Sequence, residues 1–181
     1  SDLVKRLIEQ ISFEARSSEF VDKKSGVSAR LTISALENAY STAERRAIIH
    51  NEPATQVWIS DLIGIIPSIT GKIELVYEGE QEGPYQVAVN LLEKSMRSLF
   101  VQYFPNPDAL KKRRNTGKPS QQGKEEENPY KAIVNWFDAG NKIDLLVDAS
   151  DREKMNQLYQ VSGLHALVTK MFSRSNEMET A

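Results

Sequence analysis

The chain has 181 residues, of which 40% are hydrophobic and 27% charged, with a formal net charge of −2 and no cysteine. That length suits one domain, or a domain with an appendage, and the apolar fraction is enough for a sizeable core. A charge so near zero gives no reason to expect a nucleic-acid binder, which carries a basic excess. The absence of cysteine removes disulfides and thiolate chemistry, and the longest apolar run, Leu62 to Ile66, falls far short of the ~20 residues a membrane span needs. The opening "SDLVKRLIEQ" lacks the apolar core of a signal peptide. Together these features lead us to expect a cytoplasmic protein. The first methionine is Met96, so the chain reads as a fragment of a longer one.

Leu3, Leu7 and Ile11, with Val4, Ile8 and Ala15 alongside, give the first segment the pattern of an amphipathic helix. Ser1 or Asp2 can cap it, and Gly26 marks the turn after it. A second helix is expected from about Ala29 to His50. Its stripe is Leu31, Ala35, Ala39, Ala43 and Ala47, flanked by Leu36, Tyr40 and Ile48, and Pro53 prevents its continuation. Ser60 is an N-cap candidate for a short or kinked element containing Pro67 and Gly71. "YEGEQEGP" reads as an acidic turn, after which Pro84 opens a long helix. The stripe expected on that helix is Val89, Leu92, Met96, Leu99, Phe100 and Tyr103, with Ala88 beside it, and such a stripe reads as core.

From Pro105 to Asn128 apolar residues almost vanish, and a basic block (Lys111 to Arg114) precedes an acidic one (Glu125 to Glu127). Such a composition buries too little surface to offset the entropy of ordering, so a mobile linker is expected. A helical tail follows. Asn128 is its cap, Pro129 its first helical position and Gly140 a terminator, and "SDREKMNQLYQ" and "GLHALVTKMF" complete it.

Catalytic signatures are missing. The only histidines are His50 and His165, which excludes a His-rich or thiolate metal site; both read as structural or exposed. No phosphate-binding or dinucleotide-type glycine pattern occurs. The acids Glu74, Glu78, Glu80 and Glu82 have irregular spacing and read as a solvated turn rather than a hard-cation site. "KKRR" could contact phosphates, but without interleaved aromatics it reads as linker.

Arg30 stands apart. A helix start favours acidic residues, yet "SGVSAR" delivers a permanent cation there. One reading is a surface arginine packed along its helix. The other is an anion clamp, in which small turn residues expose backbone N–H groups at a helix N-terminus and a guanidinium adds two parallel bonds to phosphate oxygens.

"SGVSARLTISALENAYSTAERRAII" followed by "VWISDLIGIIPSITGKIELVYEGEQEG" resembles the C-terminal part of AAA+ ATPases of the magnesium chelatase ATPase-subunit and MoxR-like branch. In that family a small helical lid follows a nucleotide-binding α/β core, and a "sensor 2" arginine stands at the start of a lid helix. The resemblance implies that Arg30 binds the nucleotide, reaching the γ-phosphate of ATP and letting the lid rotate on hydrolysis. It is good from Ser1 to about Leu110 and weaker over "NPYKAIVNWFDAGNKIDLL". The phosphate loop, Walker B acid, sensor 1 and arginine finger would all lie upstream of Ser1. The resemblance therefore implies ATP and Mg in the full-length protein but none in this chain, and no catalytic residue and no ATPase activity in the chain alone. The implied partners are the upstream core, neighbouring subunits of a ring, and a further protein that is remodelled or that inserts metal.

The expected architecture is all-α: a helical, AAA+ lid-like bundle over 1–104, a flexible charged linker over 105–128 and a small helical tail over 129–181 that can pack back on the lid. The alternative function is an ATP-independent helical interaction module. In it Arg30 pairs with a protein carboxylate, and the helix from Pro84 offers a docking face. Nucleic-acid binding through Lys111 to Arg114 ranks last.

Overall fold

A computed structural model describes residues 2–109 and 128–179, with side chains to Ser173. Lys111 to Arg114, Glu125 to Glu127 and most of the expected linker lie outside the described residues. Among the described residues every named element is helical, and the β pairing is one isolated antiparallel bridge, Val21 to Leu75. The all-α expectation holds. The chain forms two compact units. One comprises Ser1–Leu99 with Leu145–Asp151, the other Phe100–Asp144 with Arg152–Ala181.

The first unit is built on two helices with different faces. α1 (Asp2–Ser17) buries Val4, Leu7, Ile8, Ile11 and Ala15; Leu3, expected in the stripe, stays exposed. α2 (Arg30–Ile49) buries Leu31, Ala35, Ala39, Ala43 and Ala47, the stripe anticipated from its spacing. Four alanines there keep the helix surface low, so neighbours approach its backbone closely. Gly64 shows how closely. A Cβ at that position would lie 2.1 Å from Thr42 Oγ1, so only glycine fits opposite α2 without displacing it. Asn51 leaves α2 with φ of 53°, a left-handed exit that Asn tolerates well, and the Glu52 N–H bonds to the Ala47 carbonyl at 2.9 Å.

Ser60 is not an N-cap. It lies inside a 3-10 helix (Ile59–Ile65) that begins after Trp58 and runs into α3 (Ile66–Thr70). Asp61 does the capping instead, its carboxylate accepting the Trp58 N–H at 2.8 Å. The stretch expected as an acidic turn is also helical, α4 (Tyr77–Glu82). Acids in its first turn suit the positive end of a helix, and Gly79 lets it press against the bridge. A Cβ at Gly79 would come within 2.4 Å of the Phe20 carbonyl oxygen.

α5 (Pro84–Tyr103) starts at Pro84 as expected. Its buried face is Val87, Ala88, Leu91, Leu92, Ser95 and Leu99, rotated from the predicted stripe. Val89 and Met96 are half-buried and Phe100 is exposed. The rotation is possible because Ser95 returns its hydroxyl to the Leu91 carbonyl at 2.7 Å, so a polar residue enters the core satisfied. Nearby, the buried Glu14 carboxylate is satisfied by Lys94 at 2.9 Å and by Gln10 and Ser98, each donating at 2.9 Å.

The second unit gathers aromatics. Phe100 stacks on Phe104 at 4.8 Å between centroids, Phe104 meets Phe172 edge-on at 6.3 Å, and Tyr103 stacks on Phe172 at 5.7 Å. Tyr130 donates its hydroxyl to the Pro105 carbonyl at 2.6 Å. Asn128 accepts the Tyr130 N–H and so acts ahead of α6 (Lys131–Asp138), where Pro129 is not yet helical. α7 (Asp151–Tyr159) and α8 (Leu164–Glu179) follow, with Val161, Leu167 and Met171 buried.

Candidate functional site

Arg30 is the first residue of α2 and is exposed. The preceding residue, Ala29, is the N-cap and supplies no side-chain bond, and no acid occupies the first turn. Ser28 stands in for a cap. Its hydroxyl oxygen accepts the Arg30 backbone N–H at 3.3 Å and lies 3.4 Å from Arg30 Nε, while its carbonyl accepts the Leu31 N–H at 2.9 Å. Gly26, at φ of 67°, turns the chain into this start in a conformation that favours glycine. A shallow depression beside the turn is lined by Arg16, Val21, Asp22, Lys23, Gly26 and Val27; Arg30 does not line it.

The site that sequence reasoning missed lies near the other end of α2. Arg46 is 3% exposed, and its guanidinium is surrounded by acceptors. Nε and Nη2 bond the two carboxylate oxygens of Asp61 at 3.1 and 3.0 Å. Nη2 also reaches Thr55 Oγ1 at 3.1 Å and the Gln56 carbonyl at 3.0 Å. Nη1 bonds Asp151, and Glu52 stands 3.9 Å away. Trp58 adds its ring N–H to Asp151 at 2.6 Å and Thr55 its hydroxyl at 3.1 Å. Burial alone would push the Asp151 carboxyl up; the bonds from Arg46 and Trp58, the Arg46 charge and Thr55 outweigh it and hold the group below the ordinary aspartate value. Burial alone would lower Arg46, but the bonds and charges of Asp61 and Asp151 outweigh it and raise the group.

One signal for this cluster was present in the sequence. Ala39, Ala43 and Arg46 continue the i, i+4, i+3 rhythm of the buried face, so position 46 falls inward while Arg45 falls outward and stays exposed. The cluster's partners were not legible, since Asp151 lies 105 positions away.

His50 is exposed and its Nε2 bonds the Asp148 carbonyl, which can only accept, so Nε2 carries the proton. His165 lies 6.1 Å from the Tyr159 ring. Among the described residues no group of three or more His, Cys, Asp or Glu is arranged to hold a metal ion, and no helix is long and apolar enough to cross a membrane. A scan against protein-family models and searches of curated proteins and of solved structures find no match to this chain.

Proposed function

We propose that the region 1–104 is the helical lid of an AAA+ ATPase of the magnesium-chelatase-like or MoxR-like kind, and that Arg30 is its sensor 2 residue. The observation that carries this reading is the placement of Arg30. It is an exposed cation at the first position of a 20-residue helix whose first turn holds no acid. Helix N-termini attract anions, so a phosphate arriving beside the guanidinium would relieve the cation at this helix start. In the complete protein the nucleotide and its Mg would sit in a core outside this chain. Arg30 would meet the γ-phosphate, stabilise the charge of the transferring group, and transmit its loss through α2. Motion of the lid would couple turnover to remodelling of, or metal insertion by, a partner within a ring. The test is ATP turnover by the intact protein. Arg30→Ala should abolish or uncouple it while the fold is kept, and unchanged turnover with unchanged oligomer formation would refute the assignment.

A second reading, an ATP-independent interaction module, draws support from the surface. Ile48, Ile49, Ile59 and Ile63 are each more than half exposed, at 78%, 57%, 57% and 52%. Under that reading nucleotide has no effect on partner binding.

A further inference from the structure

The segment 145–151 belongs to the first unit although residues 100–144 separate it from the rest of that unit. None of its residues is buried: Leu146 is 60% exposed, Val147 41%, and the others are half-buried or exposed. Its attachment is pinned by polar groups. The Asp148 carbonyl accepts from His50, the Asp151 N–H bonds Glu52 at 3.0 Å, and the Asp151 carboxylate takes bonds from Arg46, Thr55 and Trp58.

We propose that residues 145–151 are a releasable strap, held because Asp151 fills in cis a carboxylate receptor formed by Arg46, Thr55 and Trp58. Three features make it releasable. The strap's own residues bury little apolar surface, so their hydrophobic contribution to holding it is small. Asp61, 0% exposed and bonded twice to Arg46, remains behind as counter-ion, so departure of Asp151 does not leave a bare buried guanidinium, the costly outcome when an ion pair is broken. The cluster is also rich in anions, with one guanidinium within 4 Å of three carboxylates, Asp61, Asp151 and Glu52. The vacated receptor presents a guanidinium N–H, an indole N–H and a hydroxyl, and its ligand class is a carboxylate. This inference does not depend on the role of Arg30.

The experiment uses the full chain in a Trp136→Phe background, so that Trp58 is the remaining indole. With Asp151→Ala, the backbone amides of Ala149 and of position 151 should exchange at least about tenfold faster while those in the middle of α2 keep their protection, as expected when a local unit opens alone. Trp58 emission should shift and then return saturably on adding sodium acetate, but not sodium chloride at equal ionic strength. Unchanged exchange in the strap, loss of α2 protection together with it, or no saturable return with acetate would each overturn the proposal. Asp151→Asn, which keeps the side-chain shape, gives the same exchange test should the alanine variant not fold; protection in α2 lost with that of the strap would again overturn it.

Discussion

Replacing Arg46 with methionine isolates what the buried cluster contributes. Methionine retains much of the arginine stem, so packing along α2 is kept while the charge goes. Asp61 is fully buried and receives three bonds, two from Arg46 and one from the Trp58 N–H at 2.8 Å. The variant leaves it one bond and no counter-ion, a change that costs about 3–5 kcal/mol for a buried pair. Domains of this size are stable by only about 5–15 kcal/mol, so the loss is a large fraction of the total. At about 4–8 °C per kcal/mol for roughly a hundred residues, Tm should fall by at least about 12 °C. Urea unfolding followed by circular dichroism measures the cost directly, with the m-value checking that the denatured state is unchanged. The double variant Arg46→Met/Asp61→Leu removes both charges and should recover most of the loss. The remaining deficit of about 1–3 kcal/mol would come from the Trp58 backbone N–H left without its acceptor and from Asp151, which loses its bond from Arg46. A cost below about 1 kcal/mol for the single variant, or a double variant no more stable than the single, would refute the reasoning.

Other perturbations test separate parts of the fold. Gly163 sits at φ of 81°, and a Cβ there would lie 2.7 Å from the Ala132 Cβ. Gly163→Ala should destabilise the second unit by about 1–3 kcal/mol, and adding Ala132→Gly should relieve the contact but not the backbone strain. Gly79→Ala should loosen the Val21 to Leu75 bridge, read as faster amide exchange at Asp22 and Val76, because the new methyl meets the Phe20 carbonyl. Acid should destabilise the first unit. The bond from Lys94 chiefly lowers the Glu14 carboxyl, against burial and with help from Gln10 and Ser98, and Asp151 is lowered as well. The unfolded chain therefore binds more protons in the acid range. Stability is fully present above the ordinary carboxylate values of 4.5 and 3.8 and is lost as pH falls through the lower folded ones. Glu14→Gln should flatten that acid limb in urea midpoints measured against pH.

Much of the helical frame could be read from spacing. The alanine stripe of α2 and the apolar turns of α1 follow from a 3.6-residue period, and Pro84 and Gly140 mark a start and a stop by their backbone chemistry. The errors share a cause: polar residues whose partners are distant or hidden. Ser95 is absent from the expected stripe of α5 because its bond to the Leu91 carbonyl is invisible in composition, and the buried face is rotated accordingly. Asp61 caps Trp58 in place of Ser60 because Arg46 holds it there. The stretch 77–82 reads as an acidic turn, whereas the place of Glu78 and Glu80 at a helix start makes their charge favourable. Arg30 was conspicuous because it breaks a local electrostatic rule. Arg46 was not, because beside Arg45 it looks like an ordinary charged surface pair until a structure shows which of the two faces inward.

The reading of Arg30 as a lid residue is tested most directly by determining the coding frame upstream of Ser1. The account predicts a G-x-x-x-x-G-K-[ST] loop between a strand and a helix, as a nucleotide-binding core requires. A start codon adjoining Ser1, with no such loop in the same polypeptide, would contradict it and leave the helical interaction module as the reading to pursue.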